Sequence, residues 1–144
     1  MDYEKINYEN SVNLARLTKL AWVAGFIDGE GCLYSNGGRP SLSVSQKMKE
    51  PLLRVQTILG GGTIHEYALK TPSGKNTSIC NYYLGGGDLI VALKRLKPFL
   101  VVKADACNKA LVFAEHHTFN RQPKRETQAI VAWHEKHPTW TCAA

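Results

Sequence analysis

Apolar and polar positions change period several times along the chain, and each change marks an element. From residue 14 the period is helical. Leu14, Leu17, Ala21 and Ala24 lead to Asp28 along one stripe, and Leu20, Val23 and Ile27 widen it. Asn10 or Ser11 supplies an N-cap, which places the predicted helix start there. Ala21, Ala24 and Gly25 stand about one turn apart and leave room for a second helix to approach closely. Two readings follow: a helix buried in a monomer, or a self-complementary interface of twofold symmetry built on Ala21, Ala24, Gly25 and Asp28.

After Gly31 the period becomes two. Leu42, Val44 and Met48 alternate with Ser41, Ser43, Ser45 and Lys47, which predicts a half-buried strand. Residues 32–36 form a strand before it, with Asn36-Gly37-Gly38 as the turn. Pro51 opens a helix carried by Leu52, Leu53, Val55, Ile58 and Leu59, and Gly60-Gly61-Gly62 ends it. Residues 63–70 and 77–84 read as a second hairpin. Gly85-Gly86-Gly87 and Asp88 start a third helix with Leu89, Ala92, Leu93 and Leu96 inward, stopped at Pro98. A fourth spans 104–117, and a shorter one near Pro123 contains Ala129, Ile130 and Trp133. The class is α+β with an antiparallel four-stranded sheet.

The 144 residues suffice for one domain with a real core. They divide into an extension (1–13), a core (14–118) and a C-terminal helix and tail (119–144). No apolar run is long enough to span a bilayer, and no signal-peptide pattern is present, so no membrane partner is expected. Cys32, Cys80, Cys107 and Cys142 are far apart and read as reduced thiols of an intracellular protein, cytoplasmic or organellar. The net charge of +6 favours an anionic partner. Residues 32–85 hold six Lys/Arg against two Asp/Glu, on strand-like sequence that suits a sheet facing phosphates.

The chemistry concentrates where the first helix ends. Asp28 and Glu30, set among Gly25, Gly29 and Gly31, put negative charge at a helix C-terminus, the wrong sign for the macrodipole. A hard cation such as Mg²⁺ would repair this, since carboxylates and free C-terminal carbonyls are oxygen donors. A divalent-metal site is therefore expected at this tip.

Val23 to Gly31, VAGFIDGEG, resembles the LAGLIDADG motif of homing endonucleases, with Ala24, Gly25, Ile27, Asp28 and Gly31 identical to the name-giving string. The element order is similar as well, over residues 14–117. The resemblance implies an αββαββα fold with a saddle-shaped sheet, here with extra C-terminal helices. One motif copy implies a homodimer, each chain giving one motif helix to the interface. It implies Glu30 as the metal-binding acid, with the Gly29 carbonyl as a further ligand and Asp28 as a ligand or as a group that orients the helix end. It places Gln46 where a Gln positions water, and Lys103 where a Lys reaches the same pocket. Glu50 departs from the pattern, since a relative has Arg there, and Lys49 is the candidate substitute.

Strand alternation then selects the DNA face. With Leu33, Leu42 and Val44 toward the helices, the opposite face presents Tyr34, Asn36, Arg39, Ser43, Ser45 and Lys47. The second hairpin adds Thr63, His65, Tyr67, Asn81 and Tyr83. These side chains suit major-groove readout, whereas Lys70 and Lys75 suit phosphates. The expected activity is Mg²⁺-dependent hydrolysis of both strands of a long, roughly palindromic double-stranded DNA site, leaving a staggered break. Mn²⁺ is expected to substitute, and Ca²⁺ to support binding without cleavage. The initial Met and the lack of flanking splicing sequence suit an intron-encoded or freestanding enzyme. The alternative is an RNA-splicing maturase or a non-cleaving DNA-binding protein of the same fold. The glycine runs lack the Gly-Lys-Ser/Thr of a phosphate loop, and His134 and His137 lack further ligands at zinc-site spacing.

Overall fold

A computed structural model describes residues 3–36 and 39–116 of the chain. The elements are α1 (Tyr3–Glu30), β1 (Gly31–Asn36), β2 (Arg39–Gln46), α2 (Glu50–Leu59), β3 (Thr63–Lys70), β4 (Asn76–Gly85), α3 (Gly86–Leu96), a 3₁₀ turn (Lys97–Phe99) and α4 (Ala104–His116). The sheet is antiparallel throughout, in the order β1-β2-β4-β3. The predicted helix near Pro123 and the segment 119–144 lie outside the described residues. No helix among the described residues is long and apolar enough to cross a membrane.

α1 begins at Tyr3, well before the expected cap at Asn10 or Ser11. No Pro or Gly interrupts the chain between Tyr3 and Trp22, so an available cap residue does not force a start. Its inward stripe is Leu20, Val23, Ala24 and Ile27, each at most 1% exposed. Ala21, Gly25 and Gly29 lie on the outward side. β2 contributes Leu42 and Val44 to the core, α2 contributes Leu52, Val55 and Leu59, and α3 contributes Leu89, Ala92, Leu93 and Leu96. Two expected inward positions are corrected. β2 ends at Gln46, so its alternation never reaches Met48, which is 67% exposed. Leu53 lies on the outer edge of α2 and is 38% exposed.

Two buried polar side chains close the α2 end. Gly60 takes the left-handed conformation (φ 78°) and donates its N–H to the Gln56 carbonyl. Arg95 of α3 is 8% exposed and donates to the Ile58 carbonyl at 2.9 Å and the Leu59 carbonyl at 3.4 Å. A cation at a helix C-terminus has the favourable sign. Burial, with the Arg16 charge added, draws the Arg95 guanidinium down to about 10, so it stays protonated at neutral pH. Tyr82 of β4 is fully buried and donates its hydroxyl to the Gly61 carbonyl at 2.7 Å. A side chain at Gly62 (φ +100°) would overlap the Tyr82 ring, which is why glycine is required there.

Tyr82→Phe tests this closure. It leaves the buried Gly61 carbonyl without its donor, and urea denaturation should show a loss of about 1–3 kcal/mol.

Candidate functional site

The tip of α1 is held by the chain that leads into α4. The Asp28 carboxylate accepts from the Val101 N–H at 2.8 Å and the Lys103 N–H at 3.0 Å. In return the Lys103 ammonium donates to the Asp28 carbonyl at 2.8 Å. Burial pushes the Asp28 carboxyl upward, but the N–H groups of Val101, Lys103 and Val102 and the Lys103 charge outweigh it, so its pKa falls below the ordinary 3.8. Asp28 lies at the wrong end of α1 but at the N-terminal end of α4, where its charge has the favourable sign. The Asp28 carboxylate, expected in the helix–helix interface, binds its own chain's 101–103 segment.

Glu30 is the other tip carboxylate, and it is exposed. Gln46, the last residue of β2, donates its Nε2 to Glu30 Oε2 at 3.0 Å. Gln46 has the parity of Leu42 and Val44, yet it lies at the strand's end, where the sheet meets the helix tip. Glu30, Gln46 and Lys103, predicted from three separate elements, therefore gather around one helix end. Gly29 lies between Glu30 and the carbonyl that Lys103 caps. Glu50 accepts from Arg54 at 3.4 Å, and Lys49 precedes it at the α2 N-cap. No cluster of three or more His, Cys, Asp or Glu forms among the described residues.

Beyond the tip, sheet register sorts every strand residue by face. Cross-strand partners share a face. One outward row runs Cys32, Ser43, Tyr83, Thr63, and the next runs Ser45, Asn81, His65. Tyr34 pairs with Ser41, Asn36 with Arg39, and Tyr67 with Ile79, all with the same outward parity. The inward rows hold Leu33, Leu42 and Leu84, and Val44, Tyr82 and Ile64. The proposed readers Tyr34, Arg39, Ser43, Ser45, Thr63, His65, Tyr67, Asn81 and Tyr83 thus share one face, and Asn36 pairs with Arg39 at the strand end. Lys47 is exposed just past β2, and Lys75 lies in the β3–β4 turn. Lys70 has inward parity but is exposed, because β3 runs past the helices there.

The outward face is knit by its own hydrogen bonds, which the sequence reading missed. Ser43 and Ser45 both donate to Asn81 Oδ1, at 2.8 and 2.9 Å. Ser41 and Tyr83 meet through their hydroxyls at 3.3 Å. Alternating Ser on β2 opposite Asn and Tyr on β4 was the available signal, but only the register brings them together. On α1 the outward side carries Leu14, Thr18, Ala21, Trp22 and Gly25. A Cβ at Gly25 or at Gly29 would meet nothing within 4 Å. Ala24, expected with them, is instead 0% exposed and packed in this chain's own core.

No family model matches the chain. Over 99 residues it is 31% identical to the DNA endonuclease I-CvuI of Chlorella vulgaris, covering 59% of this chain. The alignment spans 56% of that relative's length. A crystal structure of the homing endonuclease I-CvuI with its target and calcium matches with a TM-score of 0.51 at 22% identity, over 85% of this chain and 96% of that one. A second, with a target left uncleaved in magnesium, gives a TM-score of 0.52 at 24% identity, over 90% and 86%. The chain is thus similar in sequence to one DNA endonuclease over part of its length, and in fold to homing endonuclease structures. The structural likeness establishes the fold, and the αββαββα order expected of a LAGLIDADG-type chain is the order observed.

The Asp28 clasp has a pH signature. A carboxyl whose folded pKa is depressed stabilises the fold above its unfolded value and loses that contribution as pH falls through the folded one. In thermal melts, the wild type should exceed Asp28→Asn at pH 7. The gap should close as pH drops below 3.8.

Proposed function

We propose that two copies of this chain act as a site-specific homing endonuclease, intron-encoded, that cuts both strands of a long pseudo-palindromic DNA site by metal-dependent hydrolysis. The observation that carries this reading is the Glu30–Gln46 hydrogen bond at the exposed α1 tip. It keeps one carboxylate oriented at the surface while Asp28 is engaged elsewhere.

The donor set fits a hard divalent cation, Mg²⁺ by preference. The Glu30 carboxylate and the Gly29 carbonyl are oxygen ligands, the type a hard cation prefers. One available carboxylate is too few for a site within one chain, so the remaining ligands come from a second copy's Glu30 and from DNA phosphate. Bound there, the metal stabilises charge on the attacking and leaving oxygens of a phosphodiester.

The chain's own residues do the rest. Gln46 Nε2 fixes one Glu30 oxygen, and the Gln46 amide oxygen is left to accept from a water beside the phosphate. Lys103 spends one of its three N–H donors on the Asp28 carbonyl and keeps two for phosphate oxygens. It is a fixed positive charge aimed where negative charge develops. The outward sheet face supplies base contacts, and Lys47, Lys49, Lys70 and Lys75 supply phosphate contacts. The outward stripe of α1 at Ala21 and Gly25 supplies the twofold contact that brings two tips together.

Glu30→Gln keeps the Gln46 contact geometry but removes the charge. Cleavage with Mg²⁺ should fall by roughly 1,000-fold or more, since several kcal/mol of charge stabilisation go with the metal. Binding in Ca²⁺ should persist. Normal cutting by this variant would refute the mechanism, and intact binding with no cutting even in the wild type would favour the non-cleaving alternative.

Gly25→Leu tests the dimer separately. Because nothing lies within 4 Å of that position in one chain, the fold should melt as before. Sedimentation should instead show monomers. An unchanged dimer would remove α1 from the interface.

A further inference from the structure

Asn81 stands near the middle of the outward sheet face, on β4 between Ser45 of β2 and His65 of β3. An asparagine amide is ordinarily two-sided, with a carbonyl acceptor and an NH₂ donor. That duality underlies its match to adenine, which offers an N7 acceptor beside an N6 donor. Here the duality is gone. Ser43 Oγ donates to Asn81 Oδ1 at 2.8 Å and Ser45 Oγ donates to the same atom at 2.9 Å. A carbonyl oxygen has two lone pairs, and both are used. The two serines sit one pleat apart on the same strand, so they also fix the amide's rotation.

We propose that Asn81, clamped by Ser43 and Ser45, reads one base pair of the DNA target as a donor-only group and selects guanine, not adenine. Guanine places two acceptors, N7 and O6, on its major-groove edge, which matches the outward NH₂. Adenine offers a single acceptor, N7, and sets its own N6 donor against the second N–H, where guanine offers O6. The inference rests on the DNA-binding reading above and adds the base class that this residue discriminates. The serines do not touch the base; they are positioning residues that convert an adenine-type side chain into a guanine-type one. Sequence logic alone, pairing Asn with adenine, would assign the opposite preference.

The test is selection from a randomised duplex library by the full-length protein in Ca²⁺, followed by sequencing. Wild type, Asn81→Asp and the double variant Ser43→Ala/Ser45→Ala are run in parallel, each first shown to melt cooperatively. Asn81→Asp keeps an acceptor for both serines and turns the outward group into an acceptor. The position that changes between wild type and Asn81→Asp, with its symmetry mate, identifies the base pair read. At that position the wild type should favour guanine by roughly 5- to 100-fold. Asn81→Asp should move the preference to cytosine, whose N4 donates. The double serine variant frees Oδ1, and the same position should shift toward adenine.

Three results would overturn the inference while leaving the DNA reading intact. The affected position is adenine in the wild type; no position changes in Asn81→Asp; or the double serine variant keeps guanine undiminished. Failure of the wild type to enrich any sequence would instead overturn the DNA-binding reading, and this inference with it.

Discussion

The reciprocal clasp between Asp28 and the 101–103 segment decides what the rest of the molecule can do. A helix of 28 residues ends in two acids, and its own dipole opposes both. The protein answers one of them internally. Two N–H groups ahead of α4 take the Asp28 carboxylate, and the Lys103 ammonium takes the carbonyl of the same residue. Three hydrogen bonds therefore join the end of α1 to the start of α4 across more than seventy residues of sequence. The other acid, Glu30, is left at the surface, bonded among the described residues to the neutral Gln46 amide. Repair of one charge by the fold leaves the other at the surface.

The sheet follows the same division between groups satisfied inside the chain and groups offered outside it. Tyr82 and Tyr83 are neighbours in sequence and opposites in fate. Tyr82 is fully buried and bonds the Gly61 carbonyl, whereas Tyr83 is 41% exposed and meets Ser41. A slip of one residue would bury Tyr83, Asn81 and the serines against the helices and expose Val44, Leu42 and Leu84. The large cost of that exchange holds the outward row in register. On that row, the centre is bonded to itself along β2 and β4, while β1 and β3 at the rims leave Tyr34, His65 and Tyr67 exposed. The middle of the face is thus set in orientation before any partner arrives.

Much of this was legible in the sequence, because periodicity reports faces directly. Leu33, Leu42 and Val44, and the serines between them on β2, sort by alternation alone. The second hairpin and α3 appear within a residue or two of their predicted ends. The failures share a cause: each depends on what another element brings. Nothing in residue type distinguishes Ala24 from Ala21, yet the core closes over one and leaves the other exposed. Arg95, which periodicity does not single out, sits beside the apolar stripe of α3. Only the arrival of the α2 C-terminus, with its free carbonyls, makes burial of a cation there affordable. Asp28 reads as a possible metal ligand because the N–H groups that satisfy it lie far away in sequence.

The tip also argues for an assembly larger than one chain. A single exposed carboxylate with one amide bonded to it is a weak cation site, since a divalent ion with hard oxygen preferences asks for several ligands and little of that set is present here. A second carboxylate could have come from Asp28, but moving it would strip Val101 and Lys103 of their acceptor and uncouple α4 from α1. The cheaper source is another copy of the same tip. The outward side of α1 suits this, because Gly25 and Gly29 leave their Cβ positions open and Ala21 adds only a methyl. Two such helices crossing there would bring Glu30 from each chain to one axis, with the polar sheet faces extending to either side. In the proposed function, hydrolysis and symmetric recognition therefore share a single geometric requirement, the close approach of two helices at their small residues.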